Sequence, residues 1–133
     1  MIAVKNLVKK FGMLTAVDDV TFDVGKGDVL GFLGPNGAGK STTMRMITCF
    51  IPPTAGTATV GGHDILRDSV AVRRVIGYLP ENAPVYADMT VESYLRFIAE
   101  MRGYRGADVR TRVGAAMDTC VLTRVRAQSV GTL

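Results

Sequence analysis

The chain has 133 residues, 47% of them apolar and 21% charged, with a net charge of +4. That length and composition suffice for one folded domain with a real core and exclude a disordered segment. No apolar run approaches ~18 residues, so no segment reads as membrane-spanning, and Met1-Ile2-Ala3-Val4-Lys5 lacks a secretory apolar core, which makes the cytoplasm the default compartment. Residues 2–8 (Ile2, Val4, Leu7, Val8) predict a first strand closed by Lys9-Lys10, with a turn starting at Phe11-Gly12. Ala16 to Val24 alternates, Val20, Phe22 and Val24 on one face against Asp19, Thr21 and Asp23, which predicts a half-buried antiparallel strand. Gly25-Lys26-Gly27 leads into Asp28-Val29-Leu30-Gly31-Phe32-Leu33, an apolar run expected to be a strand buried on both faces.

Next comes Gly34-Pro35-Asn36-Gly37-Ala38-Gly39-Lys40-Ser41, which fits G-x-x-x-x-G-K-[ST]. The glycines let the backbone curl so that several N–H groups point at one anion. Lys40 adds a mobile positive charge for terminal phosphates, and the Ser41 hydroxyl is a hard oxygen ligand suited to Mg²⁺. Ser41 to Phe50 predicts a helix stopped by Pro52-Pro53, so strand, loop and helix N-terminus place partial positive charge where phosphate would sit. An ordinary glycine-rich turn would not need Lys-Ser at its end.

Beyond the prolines, residues 54–62 predict turn, short strand and turn, with His63 as an exposed turn residue. Asp68 to Arg74 predicts a short surface helix, and Val75 to Leu79 a buried strand ended by Pro80, with Glu81 where strand gives way to loop. From Thr90 the period changes to 3.6. Thr90 is the expected cap of a helix with Val91, Tyr94, Leu95, Ile98 and Ala99 on one face. A second helix, capped by Asp108, carries Val109, Val113, Ala116, Met117 and Cys120, and the two stripes imply helices packed together. Residues 1–86 therefore read as α/β and 87–133 as the start of a helical part. Cys49 and Cys120 have no metal spacing between them, so buried free thiols are expected. The charge excess lies in residues 102–133, where six arginines face Asp108 and Asp118 alone. A solvated helical face explains this most simply; an acidic partner surface or lipid headgroups is the sharper alternative. Nucleic acid is not expected, because no aromatic side chains interleave with the arginines.

In order along the chain, these segments resemble the nucleotide-binding subunit of ABC transporters, in particular the exporter-type ATPases. Gly31 to Thr43 is similar to that family's phosphate loop nearly letter for letter. Phe11 falls at the aromatic that stacks on adenine, Ile76-Gly77-Tyr78-Leu79-Pro80 resembles the strand entering the Q-loop, and Asp88-Met89-Thr90-Val91-Glu92 resembles the opening of the helical subdomain. The resemblance spans 1–133 and implies a P-loop NTPase fold of ABC type: an N-terminal antiparallel β part, a P-loop α/β core and the start of an α-helical subdomain. It implies ATP and Mg²⁺ as ligands. Phe11 would stack on the base with Ala16 against the nucleoside. Gly34, Pro35, Asn36, Gly37, Ala38, Gly39, Lys40, Ser41 and Thr42 would hold the phosphates, and Ser41 and Glu81 would ligate the metal.

Two departures stand out. Glu81 occupies the Q-loop position where most of the family has Gln, and a carboxylate binds Mg²⁺ more strongly while adding negative charge beside the phosphates. The family's Leu-Ser-Gly-Gly motif, Walker B aspartate and glutamate and switch histidine are absent, so no catalytic residue is expected within these residues. The C-terminal core strands are expected to be missing, and the chain to be the N-terminal part of a longer subunit. That subunit would hydrolyse ATP at the inner face of the cell membrane, with transmembrane permease subunits and a second ATP-binding subunit arranged head-to-tail. Alternatives are a soluble ABC-type ATPase without a membrane partner, or a nucleotide-binding fragment with no turnover.

Overall fold

The computed structural model describes residues 1–81 and 84–133, in two compact units, Met1–Tyr78 and Leu79–Leu133. In the first unit, β1 (Ile2–Phe11) and β2 (Leu14–Val24) form a long hairpin around Gly12-Met13. β3 (Ala55–Val60) pairs with the other edge of β1, and β4 (His63–Asp64) with β3, giving the antiparallel order β2-β1-β3-β4. Alternation sorts the strands: Val4, Leu7, Val17, Ala58 and Val60 are buried, while Lys5, Asp18, Thr21 and Asp23 face water. The pairing is interrupted between Val4 and Leu7. There Asn6 takes a left-handed conformation, its N–H bonds to Thr21 Oγ1 (2.8 Å), and its amide donates to Asp19 (2.7 Å).

The inner face is covered by α1 (Lys40–Ile47) and α2 (Ser69–Val75), which contribute Met46, Ile47 and Val72 to the core. Side chains buried this fully each contribute about 1.5–3 kcal/mol. α1 ends three residues earlier than the prolines required, because Cys49 turns left-handed (φ 61°) and Phe50 N–H bonds back to Arg45 O at 2.8 Å. Asp64 fixes the turn into α2. Its Oδ1 accepts from Leu66 N–H (2.8 Å) and Arg67 N–H (3.0 Å), its Oδ2 from Thr57 Oγ1 (2.9 Å). The Arg67 and Leu66 N–H bonds, in that order, hold its carboxyl below the usual carboxylate range. His63 is half-buried in β4 rather than an exposed turn residue, since it pairs with Val60.

Two expected strands are not strands. Asp28 to Leu33 is irregular, with Val29 and Leu33 99% and 94% exposed; Phe32 is half-buried and packs against Phe22, with ring centres 5.5 Å apart. The second run is divided: Val75 ends α2, and Ile76 to Pro80 is irregular. A strand buried on both faces needs ladder partners, and among the described residues the four strands pair only with one another.

In the second unit, α3 (Val91–Met101) is capped by Thr90, whose Oγ1 accepts from Ser93 N–H at 3.2 Å. α4 (Gly106–Thr119) begins two residues before Asp108, which lies in its first turn and caps nothing; Arg105 holds the cap position with extended backbone. Ala99, Val109, Val113 and Met117 form this unit's core, with Leu95, Tyr104 and Leu122 against it. Residues 126–130 return to the start of α3 through Val91 N–H to Gln128 O (3.0 Å) and Val130 N–H to Met89 O (2.9 Å). Cys120, expected inside, is exposed because it lies beyond the last turn of α4 that packs inward. Cys49 is half-buried, and burial pushes its thiol up. Among the described residues, no helix is long and apolar enough to cross a membrane.

Candidate functional site

The loop from Gly34 to Gly39 stands where the sheet and α1 meet. Its middle is a tight turn closed by Ala38 N–H on Pro35 O (3.2 Å), which needs Gly37 at φ 85°. Its end is fixed by Gly39, at φ 80° and at the N-cap of α1 with no capping side chain. A Cβ there would stand 2.3 Å from Ala16 O and 3.0 Å from Val17 Cγ2, so only glycine allows the loop to lie on β2. Thr43 secures the same point from the helix side, its N–H and Oγ1 both reaching Gly39 O, at 2.8 and 3.0 Å.

Thr43 donates the first N–H that finds a helical acceptor. Those of Lys40, Ser41 and Thr42 precede it and, among the described residues, are the free donors of the helix N-terminus. They carry the positive end of the helix dipole, the arrangement that suits an anion. Lys40 Nζ donates to Gly34 O (2.6 Å) and Pro35 O (2.7 Å), which uses two of its three protons and folds the ammonium over the loop. The Ser41 side chain is exposed and Thr42 is half-buried; neither hydroxyl is hydrogen-bonded among the described residues. Asn36, Gly37 and Ala38 are exposed as well.

Phe11 ends β1 at the hairpin tip, paired with Leu14 and 49% exposed. Lys9 Nζ lies 5.1 Å from its ring centre and donates to Pro52 O at 2.7 Å. The contact of Gly39 with Ala16 and Val17 brings the phosphate-loop pattern and the hairpin carrying Phe11 to one side of the first unit. Glu81 belongs to the second unit and is an exposed residue just after Pro80. Ser41, in the first unit, and Glu81, in the second, each carry an oxygen of the hard type that Mg²⁺ prefers. Thr43 and Lys9 were not singled out by the motif. Their signals were a hydroxyl four residues after Gly39 on the core side of α1, and a cation two residues before an exposed aromatic.

A family profile described as ABC transporter matches residues 17–133. The chain belongs to the ABC transporter family. It is 44% identical over 106 residues to the probable multidrug ABC transporter ATP-binding protein YbhF of Escherichia coli, covering 80% of this chain and 18% of that protein. Over 117 residues it is 39% identical to the daunorubicin/doxorubicin resistance ATP-binding protein DrrA of Streptomyces peucetius, covering 88% of this chain and 36% of that one. A solved ATP-binding subunit of an ABC transporter superposes with a TM-score of 0.84 at 30% identity, covering 96% of this chain and 53% of the other. The chain therefore has the fold of the first half of an ABC ATPase cassette and spans under two thirds of the length of these relatives.

Proposed function

We propose that the chain is the ATP-binding part of an exporter-type ABC ATPase subunit that drives transport through separate transmembrane subunits. The observation that carries this reading is the seating of Gly39 on β2 at the start of α1, where the N–H groups of Lys40, Ser41 and Thr42 have no acceptor among the described residues. Family membership supplies ATP as the ligand, and the names of the relatives supply the transport role.

In this reading, backbone N–H groups from Asn36 to Ser41 hold the β- and γ-phosphates, and Thr42 reaches the α-phosphate. Lys40 releases Gly34 O and Pro35 O and turns its ammonium to the β/γ oxygens, a charge-assisted exchange that ATP favours over neutral carbonyls. Phe11 offers its ring to adenine, with Ala16 beside the nucleoside. Ser41 and Glu81 would hold Mg²⁺, which when bound neutralises phosphate charge during transfer. Glu81 keeps the oxygen donor of the usual glutamine and adds a charge, which strengthens its hold on the metal.

Hydrolysis, closure against a second ATP-binding subunit in head-to-tail arrangement and coupling to permease subunits at the inner face of the membrane belong to the whole protein. The testing experiment is equilibrium binding of Mg·ATP to the chain beside ATP turnover by the intact subunit. Saturable binding that Lys40→Ala weakens, with turnover that needs the residues beyond these 133, is the expected result. An intact subunit without ATPase activity would overturn the reading.

A further inference from the structure

We propose that Lys9 is a positioning residue for nucleotide selection: its ammonium covers one face of Phe11 and ties the hairpin tip to Pro52, leaving the opposite face for a purine base. This rests on the reading of Phe11 as the base platform. Three observations carry it. The Lys9 Nζ lies 5.1 Å from the Phe11 ring centre, within the range where the negative face of a ring attracts a cation. The same nitrogen donates to Pro52 O at 2.7 Å, so the cation is held from two sides. Its anchor is itself fixed, because Thr54 N–H bonds to Val8 O (2.8 Å) and Lys10 N–H to Thr54 Oγ1 (3.0 Å), which dock the segment after α1 along β1.

Register gives the arrangement its purpose. Lys9 pairs with Val17, the residue whose side chain packs at Gly39, so Lys9 lies level with the point where the loop meets the sheet. Phe11 is two residues nearer the tip, roughly 7 Å along the strand at about 3.4 Å per residue. A nucleotide with its phosphates on the loop would need its base at a set distance along that strand. An exposed phenylalanine at a hairpin tip would otherwise sample several rotamers, and fixing one on binding costs affinity. Lys9 sets the ring beforehand and closes one of its faces.

The test compares ATP with inorganic triphosphate, which has the charge but no base. Both are titrated calorimetrically with Mg²⁺ into the protein and its variants, with circular dichroism as the check on folding. Lys9→Met should weaken ATP roughly two- to tenfold, the range expected for ordering one side chain, and leave triphosphate unchanged. Lys9→Arg, which keeps a cation over the ring and a donor for Pro52, should restore the parent ratio. In a Phe11→Ala background Lys9→Met should not change the ratio further. Equal weakening of both ligands by Lys9→Met would show a role through charge or folding and overturn the proposal, as would no effect on either. If Lys9→Met does not fold, the Lys9→Gln ratio decides by the same criteria. An unchanged ratio in Phe11→Ala alone would instead remove the platform reading itself. A ratio that moves with Phe11→Ala but not with Lys9→Met would remove only the role of Lys9.

Discussion

Replacing Lys40 by alanine removes the one side-chain cation that is bonded to the loop among the described residues. Its Nζ lies 2.6 Å from Gly34 O and 2.7 Å from Pro35 O, so in the free protein it is held by neutral carbonyls and needs only to exchange them. Against a phosphate, the same ammonium makes charge-assisted bonds worth about 1.5–3 kcal/mol beyond what water offers. The loop is open to solvent on the Asn36–Ala38 side, which screens the interaction and favours the lower end of that range. At ~1.4 kcal/mol per tenfold, Lys40→Ala should bind Mg·ATP at least about tenfold more weakly. A fluorescent-nucleotide titration of the variant, shown to be folded by circular dichroism, measures this. Affinity equal to the parent's would refute the phosphate-loop reading, since no other side-chain ammonium is bonded to the loop among the described residues.

Gly39→Ala should cost more than a helix-terminal glycine ordinarily does, because a Cβ meets Ala16 O at 2.3 Å; a clear fall in Tm together with lost ATP binding is expected. Phe11→Tyr should bind ATP about as well as the parent, while Phe11→Ala should lose on the order of 1 kcal/mol, read as a lower ATP-to-triphosphate ratio. Glu81→Gln should keep nucleotide binding and shift the Mg²⁺ concentration needed for it; superimposable Mg²⁺ titrations would count against a place at the metal. Residues 1–133 alone should self-associate in sedimentation velocity, and Val29→Lys with Leu33→Lys should reduce it; a monomeric parent would show that the exposed run is not adhesive.

Much of the first unit was legible because its signals are local. Alternation along Ala16–Val24 needs one partner strand and one core face, and both come from nearby residues. The loop was legible for the same reason: glycine at positive φ, lysine and serine stand within eight residues. Thr90 was readable as a cap because a cap bonds three residues on. Asp108 misled because an aspartate in a first turn and one at an N-cap look alike when Gly106 can already start the helix. The roles of Lys9 and Thr43 are not legible in the sequence because their partners, Pro52 and Phe11 for one, Gly39 for the other, become neighbours only when the hairpin and α1 are folded.

The run Val29–Leu33 marks where sequence and structure separate for a deeper reason. Its composition describes an interior strand, with apolar residues on both faces, yet Val29 and Leu33 lie almost wholly in water. Composition reports the surroundings a segment was selected for, whereas a strand exists only with ladder partners to bond its N–H and C=O groups. The sheet present is antiparallel, in the order β2-β1-β3-β4, and the run pairs with neither of its edge strands, β2 and β4. The loop it feeds does not depend on that pairing. Gly39 is held by Ala16 and Thr43, and Lys40 by Gly34 and Pro35, all through contacts within the first unit. On the reading of this loop as a phosphate site, binding does not need strand completion, and Lys40-dependent binding should survive in a variant whose Val29 and Leu33 have been made polar.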